Sequence, residues 1–475
     1  MLLGKVFKNI NKKFKFIKFK NIKFNSKDCK PNDIFFAING NNLNGNNYIK
    51  DAINNGAKII VSNLKFEGLD KDKILYIRSK DPRKLLAQAA DNFYVKKPKN
   101  IIAVTGTNGK TSISNFYYQI LNLNNQKVAT VGTLGVLSKK INLKTNNTSI
   151  DPIKIHNLLK KLKELKIENV ILEASSHGLK QFRLNNIKFK TAIFTNLSRD
   201  HLDYHKTFKD YLNSKLILFK QLLNNKGNII FDENITQAKQ LSSISKRRKL
   251  KKYSFGKDRS YAHIVNIQKI NNQKKVDFSL NNKIYSFKTS LIGNIQIKNL
   301  IFAIMAANLS KIKIKDILNS LDKINPIEGR LEKIGNIKNN SNVILDYAHT
   351  PDALKTAILN IRDEFPLSKI SIVFGCGGNR DKDKRIMMGN VASKYCDTIY
   401  LTDDNPRSEN PKSIRRQIKK GIKNKNFIEI SSRADAIFSA VQNLNAGDIL
   451  IVAGKGHENY QEYKKKISFS DRNEI

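Results

Sequence analysis

The chain has 475 residues and a hydrophobic content of 40%, which is enough for two to four globular domains. Its formal net charge of +46 suggests a nucleic-acid binder, but the lysines are spread through every segment beside many asparagines and isoleucines. This pattern indicates compositional drift rather than a binding stripe, so we expect no nucleic-acid partner. No apolar run approaches the roughly 20 residues of a membrane span, which argues against a membrane protein.

The cysteines and the N-terminus indicate where the protein acts. Cys29, Cys376 and Cys396 are widely spaced, which disfavours a zinc site and fits a reducing cytosol. The basic segment 12–23 is interrupted by Phe and Ile and lacks the apolar region of a signal peptide. We therefore expect a cytoplasmic protein. A monomer is also expected.

The first unit, residues 1–97, reads as a small α/β domain. Strands are predicted at 34–38 and 58–62, and each is bounded by turn residues. Helices are predicted at 48–55 and 81–94. By themselves these residues say nothing more specific about function.

The second unit, residues 98–326, opens with a strand at 100–104, a glycine-rich turn and a helix at 112–123. In this setting backbone N–H groups and a helix N-terminus bind phosphate. Gly106 and Gly109 permit positive φ, Lys110 is predicted to reach the β- and γ-phosphates, and the Thr111 hydroxyl is predicted to bind Mg²⁺. The common pattern has a glycine where Val104 stands.

Strands and helices then alternate, which predicts a parallel sheet. The strand 169–173 ends in Glu173, where a carboxylate beside the phosphate loop is well placed for Mg²⁺. The next strand, 190–195, leads into a loop with His201 and His205 among acidic residues, which is a possible metal site.

In the third unit, residues 327–475, strands at 343–345, 370–374, 398–402 and 448–453 each end in a polar loop. Such loops at the carboxyl ends of strands form the site edge of an open α/β sheet. The loops also carry cations. A guanidinium grips a carboxylate with two hydrogen bonds, so the arginines favour an amino-acid substrate with two carboxylates. The cations are Arg380, Arg385, Arg407 and Lys455.

Five segments together resemble the motifs of the Mur ligases, which join an amino acid to a carboxylate through an acyl phosphate. The segments are Thr-Gly-Thr-Asn-Gly-Lys-Thr (105–111), Glu-x-Ser-Ser-His-Gly-Leu (173–179), Asn-Leu-Ser-x-Asp-His-Leu-Asp-Tyr-His (196–205), Gly-Arg-x-Glu (329–332) and Asp-Asn-Pro-Arg (404–407). The resemblance covers residues 24 to 472 and implies three α/β domains. These are a small nucleotide-binding domain (1–97), a central domain with a P-loop ATPase-like parallel sheet (98–326), and a C-terminal Rossmann-like domain (327–475).

The resemblance implies an ATP site, Mg²⁺ as cofactor and a catalytic set. The catalytic residues would be Lys110, His201, Lys215 and Arg330, with Lys215 carbamylated. The metal ligands would be Thr111, Glu173, His201 and the Lys215 carbamate. ATP would be bound by Gly106, Thr107, Asn108, Gly109, Lys110, Thr111, Ser112, Asn299, Arg330 and Asp346.

It also implies two further substrates. A uridine-nucleotide muramoyl peptide would be bound by Phe24, Ser26, Asn41, Asn42, Leu43, Asn147, Thr148, Ser149, Ser175, Gln181 and Arg183. The Asp-Asn-Pro-Arg loop looks like that of the Mur ligases that add meso-diaminopimelate, which would be bound by Arg380, Asp404, Asn405, Pro406, Arg407, Gly454 and Glu458.

Several positions depart from the family pattern. Ile295-Gln296 stands where Phe-Asn is usual, Ser149 replaces a threonine, and Asn25 and Lys27 flank Ser26 where charged Asp and Arg are usual; the segment 228–232 also lacks the usual Asn-x-Asp-Asp.

Two alternatives stay open. One is the same chemistry with a different amino acid or a folate-type acceptor. The other is a basic P-loop ATPase acting on nucleic acid.

Overall fold

The computed structural model describes residues 1–40, 43–145, 147–271, 273–337, 341–423 and 426–475, with backbone only at 336 and 337. The described residues form three sheets in chain order and one small hairpin. No helix among them is long and apolar enough to cross a membrane.

The first sheet has the order β1-β2-β3-β5-β4, and all its strands are parallel except β4. Asp81 caps the long helix of this unit, because its side chain accepts from Lys84 N and a proline follows at the first helical position. Strands and helices are β1 (Ile22–Lys23), β2 (Ile34–Phe36), β3 (Ile59–Ser62), β4 (Gly68–Leu69), β5 (Leu75–Arg78), α1 (Leu3–Val6), α2 (Ile49–Asn54) and α3 (Pro82–Phe93).

The second sheet has eleven strands in the described part of the chain, in the order β16-β15-β14-β13-β12-β11-β6-β10-β7-β8-β9. Its strands are β6 (Asn100–Thr105), β7 (Val128–Gly132), β8 (Gly135–Ser138), β9 (Asn142–Leu143), β10 (Asn169–Glu173), β11 (Phe189–Phe194), β12 (Leu223–Asp232), β13 (Lys251–Phe255), β14 (Ala262–Ile270), β15 (Gln273–Leu280) and β16 (Lys283–Thr289). Its helices are α4 (Lys110–Leu123), α5 (Pro152–Glu164), α6 (Ser176–Lys180), α7 (Leu202–His205), α8 (Phe208–Ile217), α9 (Ala238–Arg247), α10 (Asn294–Leu309) and α11 (Ile314–Leu318).

The predicted parallel sheet is present as the centre of this larger, mixed sheet. Both edges are antiparallel, β7–β8–β9 on one side and β14–β15–β16 on the other. The cause is local: Asn281 and Asn282, both with positive φ, form a two-residue turn between β15 and β16, and such a turn requires antiparallel partners. Helix α10 is buried on nearly all sides and packs with α4 on one face, while α5 and α9 cover the other.

The third sheet has the order β17-β18-β22-β19-β20-β21, and only β17 is antiparallel to its neighbour. Its strands and the hairpin are β17 (Glu332–Ile337), β18 (Ser341–Asp346), β19 (Ile370–Phe374), β20 (Thr398–Leu401), β21 (Phe427–Glu429), β22 (Ile449–Ala453), β23 (Tyr460–Glu462) and β24 (Lys466–Ser468). The helices are α12 (Pro351–Glu364), α13 (Asp383–Tyr395), α14 (Pro411–Lys419), α15 (Arg433–Gln442) and α16 (Asp471–Glu474).

Helix α12 attaches the third sheet to the second. Near its C-terminal end Glu364 forms an ion pair with Lys274 of β15, and Asn360 Oδ1 accepts from Ile295 N at 3.0 Å. The loop after β18, together with Arg330 and Leu331, lines one cleft with the phosphate loop.

Candidate active site

The phosphate loop follows the central strand β6, which lies between β10 and β11. Gly106 and Gly109 have φ of 146° and 87°. A Cβ at Gly106 would lie 1.8 Å from Thr195 Oγ1, and one at Gly109 would lie 2.7 Å from Asn299 Oδ1. Both positions therefore require glycine, for the backbone conformation and for the close approach of neighbouring loops.

Neighbouring side chains fix the loop from the β11 side. Asn108 N donates to Asn196 Oδ1 at 2.9 Å, and Thr195 Oγ1 donates to Asn108 O at 2.6 Å. Lys110 Nζ donates to Gly106 O at 3.0 Å and Thr107 O at 2.7 Å. Burial lowers the pKa of Lys110, although the Glu173 carboxylate opposes that shift. These hydrogen bonds fix the conformation of the loop, and the Lys110 ammonium is bonded to two of the loop's own carbonyl groups.

Glu173 lies at the end of β10 and is buried, with both carboxylate oxygens engaged. Oε1 accepts from Thr133 N at 2.9 Å, and Oε2 accepts from the hydroxyls of Thr133 at 3.0 Å and Thr111 at 3.1 Å. Gly132 leaves room for this side chain, since a Cβ there would lie 2.1 Å from Oε1.

This oxygen-rich set fits Mg²⁺, which prefers one or two carboxylates and completes its shell with phosphate and water. In the described residues no group of three or more His, Cys, Asp or Glu side chains could hold a metal ion.

Lys215, on α8, is buried beside the phosphate loop. Its Nζ donates to Gly106 O at 2.7 Å and lies 4.4 Å from the centre of the Tyr211 ring. Among the described residues it has no ion pair with a carboxylate. Burial, followed by the charge of Lys110, holds the pKa of Lys215 well below its ordinary value. Both effects favour the neutral amine relative to the ammonium.

His201 adopts a left-handed conformation with φ of 54° at the start of α7. Its Nε2 lies 3.3 Å from Asp200 Oδ2, and its ring is edge-on to His177 with centroids 4.8 Å apart. Burial lowers the pKa of His201 to about 3, against the opposing effect of Asp200. A neutral imidazole can act as a metal ligand or a hydrogen-bond acceptor.

The third sheet supplies the opposite wall. The guanidinium of Arg330 lies 4.3 Å from the centre of the Tyr347 ring, and Arg330 O accepts from Gln296 Nε2 at 2.9 Å. Gln296 also accepts from Asn299 Nδ2 at 3.1 Å, so it connects Arg330 to the phosphate loop. Asp346 accepts from two backbone N–H groups, and burial raises its pKa.

These walls enclose a cavity of about 410 Å³. It brings together most of the predicted ATP and catalytic residues, namely Thr107, Asn108, Gly109, Lys110, Thr111, Ser112, His201, Lys215, Asn299, Arg330 and Asp346. Thr148 and Ser175, predicted for the acceptor, line the same cavity.

A second cavity of about 1110 Å³ lies between the first and second sheets. Of the predicted acceptor residues, Phe24, Leu43, Asn147, Gln181 and Arg183 line it. Sequence reasoning missed its basic lining, because these residues belong to no motif and resemble the many other cations of the chain. They are Arg83, Lys140, Lys144, Lys154 and Lys161.

The remaining acceptor predictions fall elsewhere. Ser149 is buried and donates to Glu173 O at 2.9 Å, and Arg183 Nη1 donates to Ser149 O at 2.7 Å, so Ser149 connects the two cavities. Ser26 is buried and lines neither cavity. Asn41 and Asn42 lie outside the described residues.

The loops predicted to bind the amino acid converge after β20 and β22. Asn405 Nδ2 donates to Glu458 Oε2 at 2.9 Å, and Asn405 Oδ1 accepts from the buried Lys455 Nζ at 3.0 Å. Tyr347 Oη donates to Glu458 Oε1 at 3.4 Å and so connects this cluster to the first cavity. A Cβ at Gly454 would lie 2.8 Å from Asp404 Oδ2, so the two loops are in close contact.

Arginines of these loops have different surroundings. Arg407 Nη1 donates to Gly378 O at 2.8 Å, next to the buried Pro406, while Arg380 is exposed. Arg385 is wholly buried and pairs with Glu409, so its suggested role as a substrate cation is wrong. It instead fixes the loop after β19.

Comparison with known proteins agrees with this geometry. Three family models match, described as Mur ligase family, catalytic domain (residues 18–94), Mur ligase middle domain (104–307) and Mur ligase, glutamate ligase domain (329–456). The chain belongs to the Mur ligase family, as the motifs predicted.

Similar curated proteins are named UDP-N-acetylmuramoyl-L-alanyl-D-glutamate–2,6-diaminopimelate ligase. That of Rickettsia montanensis is 41% identical over 98% of this chain and 96% of its own length, and that of Rhizobium meliloti (strain 1021) is 37% identical over 95% and 92%. A solved structure of the same name has a TM-score of 0.71 and 28% identity over 100% of this chain and 97% of its own. MurF ligase from Thermotoga maritima in complex with ADP, at 18% identity, a TM-score of 0.65 and coverage of 91% and 93%, shares the fold.

Proposed function

We propose that the protein is an ATP-dependent ligase that adds meso-2,6-diaminopimelate to the D-Glu γ-carboxylate of UDP-N-acetylmuramoyl-L-Ala-D-Glu, a step of peptidoglycan synthesis. The observation that carries the proposal is the meeting of the Asn405–Glu458–Lys455 cluster with the phosphate-loop cavity through Tyr347. An amino-acid site and a phosphate site separated by one side chain suit the attack of an amine on an acyl phosphate.

In this proposal the first cavity holds ATP. Backbone N–H groups of residues 106–111 and the N-terminus of α4 bind the phosphates, and Asn299 and Asp346 complete the site. Lys110 leaves its loop carbonyls for the β- and γ-phosphates, and Arg330 stabilises the charge that develops during transfer.

One Mg²⁺ would be held by Thr111 and Glu173, and His201 would contribute to a second; when bound, the ions would neutralise charge on the phosphoryl group. The hydroxyls of Thr111 and Thr133 donate hydrogen bonds to the Glu173 carboxylate and so orient it for the metal. Lys215 is proposed to act as a carbamate: in its neutral form the amine adds to CO₂ through a new N–C bond and releases one proton to solvent, which leaves an anion beside the phosphate loop.

The muramoyl peptide is proposed to occupy the second cavity, with its D-Glu end entering the first past Thr148 and Ser175. The basic lining suits a nucleoside diphosphate. Phe24 and Leu43 would face the uridine end, with Asn147, Gln181 and Arg183 facing the peptide and Ser149 holding Arg183 through its carbonyl.

Diaminopimelate is proposed to bind between the loops after β19, β20 and β22. Arg380 and Arg407 would take carboxylates, and Glu458 would take the distal ammonium. Asp404, Asn405, Pro406 and Gly454 would shape the site by holding these loops together.

Each of the three units is proposed to bind one substrate: residues 1–97 the uridine end of the muramoyl peptide, residues 98–326 ATP, and residues 327–475 the amino acid. Closure of the outer units on the central one would exclude water from the acyl phosphate. We further propose a cytoplasmic monomer that needs neither nucleic acid nor membrane.

The test is phosphate release with ATP, Mg²⁺ and UDP-N-acetylmuramoyl-L-Ala-D-Glu, with meso-diaminopimelate compared with L-lysine. Turnover with diaminopimelate alone supports the proposal. Turnover with lysine keeps the chemistry but overturns the role of Arg407. Turnover that needs neither amino acid but increases with DNA or RNA would instead favour a nucleic-acid ATPase.

A further inference from the structure

The hairpin β23–β24 belongs to none of the three large sheets and lies against the loop 403–407. Gln461 Nε2 donates to Asp403 O at 3.3 Å, and Tyr463 Oη donates to Asp403 Oδ2 at 3.0 Å. Between them, Glu462 N donates to Asn405 Oδ1 at 2.8 Å. Three consecutive residues, the last two of β23 and the first of its turn, therefore hold the loop that carries Arg407.

Glu462 also contacts Arg407 directly, at two places. Arg407 N donates to Glu462 O at 2.8 Å, and Arg407 Nε lies 3.0 Å from Glu462 Oε2. Arg407 has a φ of 58°, a conformation that a non-glycine residue keeps only when its surroundings impose it. The main chain and the guanidinium of Arg407 are thus fixed by the same neighbour.

The other side of the guanidinium is fixed by the loop after β19. Nη1 donates to Gly378 O at 2.8 Å and to Asn405 O at 3.4 Å. A Cβ at Gly377 would lie 2.9 Å from Nη1, so glycine allows this approach. In the part of the chain that the structure describes, Nη2 makes no hydrogen bond. Its two N–H groups are the donors left for a ligand.

We propose that Glu462 is a positioning residue, which holds the Arg407 guanidinium so that its Nη2 end remains available for the distal carboxylate of the amino-acid substrate. The preference for an amino acid with two carboxylates then depends on Glu462 as well as on Arg407. This inference rests on the proposed function, since it presumes that the substrate is a dicarboxylic diamino acid.

The physical reason is preorganisation. An arginine side chain loses rotamer freedom when it binds a carboxylate, and a contact that orders it beforehand removes that cost from binding. Both side chains of the pair are partly exposed, with 23% and 29% of their area accessible, so the pair contributes little to folding. Its effect should therefore be seen in substrate affinity rather than in stability.

The experiment measures kcat and KM for diaminopimelate, KM for ATP, the turnover with L-lysine, and Tm. The variants are Glu462→Gln, which keeps shape and removes charge, and Glu462→Asp, which restores charge at a shorter length. Glu474→Gln is the matched control, because Glu474 is exposed on α16 in the same unit. All are tested in the full-length protein.

For Glu462→Gln we expect KM for diaminopimelate to rise about tenfold, because the Arg407 guanidinium loses the charge-assisted contact that orients it. We expect kcat within about twofold of wild type, since the reacting groups are untouched. In the same variant KM for ATP and Tm should stay unchanged, and the ratio of turnover with diaminopimelate to turnover with L-lysine should fall. Glu462→Asp should recover part of the affinity for diaminopimelate, and Glu474→Gln should behave as wild type.

An unchanged KM for diaminopimelate in Glu462→Gln overturns the inference while leaving the proposed function intact. A fall in kcat and Tm with KM unchanged also overturns it, because it would mean that the hairpin only supports the fold. If wild type turns over with a different amino acid and not with diaminopimelate, the proposed function fails and the inference fails with it.

Discussion

The Lys215 ammonium donates to the carbonyl of Gly106 at 2.7 Å, and 109 positions of chain separate the two residues. This contact places a buried amine on the first residue of the phosphate loop. Burial lowers the pKa of Lys215, which increases the fraction of the neutral amine that can react with CO₂.

Replacement of Lys215 should therefore abolish turnover, even when the new residue is arginine, which is also basic. For Lys215→Arg we expect phosphate release to fall at least about a hundredfold, because arginine cannot form a carbamate and its guanidinium is bulkier. Lys209→Arg, an exposed position on the same helix, should leave turnover unchanged.

The carbamate itself can be observed by ¹³C NMR after equilibration with ¹³C-bicarbonate. Wild type should show a carbamate resonance that Lys215→Arg lacks. Full activity in a wild-type sample from which CO₂ has been stripped would contradict the modification.

Glu173 should determine the requirement for Mg²⁺. Glu173→Gln keeps the size of the side chain, and its amide can still bond Thr111 and Thr133, so the fold should persist. Loss of the negative charge should raise the Mg²⁺ concentration for half-maximal turnover by about 10- to 100-fold.

A titration of Mg²⁺ at saturating ATP checks this prediction. Glu164→Gln on α5 is the control, because this exposed glutamate is remote from the phosphate loop and has only a 3.8 Å pair with Lys160. If wild type and Glu173→Gln gave the same Mg²⁺ titration curve, Glu173 would have no role in binding the metal.

The sequence predicted the phosphate loop, Glu173 and the four polar loops of the third sheet correctly in position. The reason is topological: the parallel strands of one sheet end at the same edge, so the motifs after β6 and β10 meet in the second sheet and those after β18 and β22 meet in the third. Lys215 and Glu462 could not be found this way. Their surroundings come from residues distant in the chain, and nothing local separates them from the other charged residues.

The ion pair between Arg199 and Asp381 should help to close the cleft. Arg199 Nε lies 3.2 Å from Asp381 Oδ2, and Nη2 lies 3.0 Å from Asp383 Oδ2, so the loop before His201 contacts the loop that carries Arg380. These side chains are partly exposed, and such pairs contribute roughly 0.2–1 kcal/mol.

Charge reversal tests this contact. Arg199→Glu should raise KM for the amino acid about threefold, given the size of such pairs, and the effect should shrink in high salt. The swap Arg199→Glu with Asp381→Arg should restore KM, whereas Arg416→Glu, an exposed reversal on α14, should have no effect. Failure of the swap to restore KM would mean that Arg199 acts through other contacts.

His156 should make stability depend on pH, because it is wholly buried on the side of α5 that faces Asp91 of α3. Its Nε2 lies 3.2 Å from Asn185 O, and its Nδ1 has no hydrogen-bond partner in the described residues. Burial, and then the charge of Lys97, lowers the pKa of His156 from 6.5 to about 3. Below pH 6.5 the imidazole of the unfolded chain gains a proton, whereas that of the folded protein stays neutral until the pH approaches 3. The contribution of His156 to stability is therefore complete above pH 6.5 and is lost as the pH falls toward 3.

Between about pH 7.5 and pH 5.5 the loss from His156 should be about 1.4 kcal/mol, since only the unfolded form gains the proton in that range. Urea unfolding at the two pH values measures it. His156→Gln should lose this part of the pH dependence, whereas Leu162→Ala, a buried residue of the same helix that cannot titrate, should lower stability equally at both values. Equal pH dependence in wild type and His156→Gln would show that the pKa of His156 is the same in the folded and the unfolded chain.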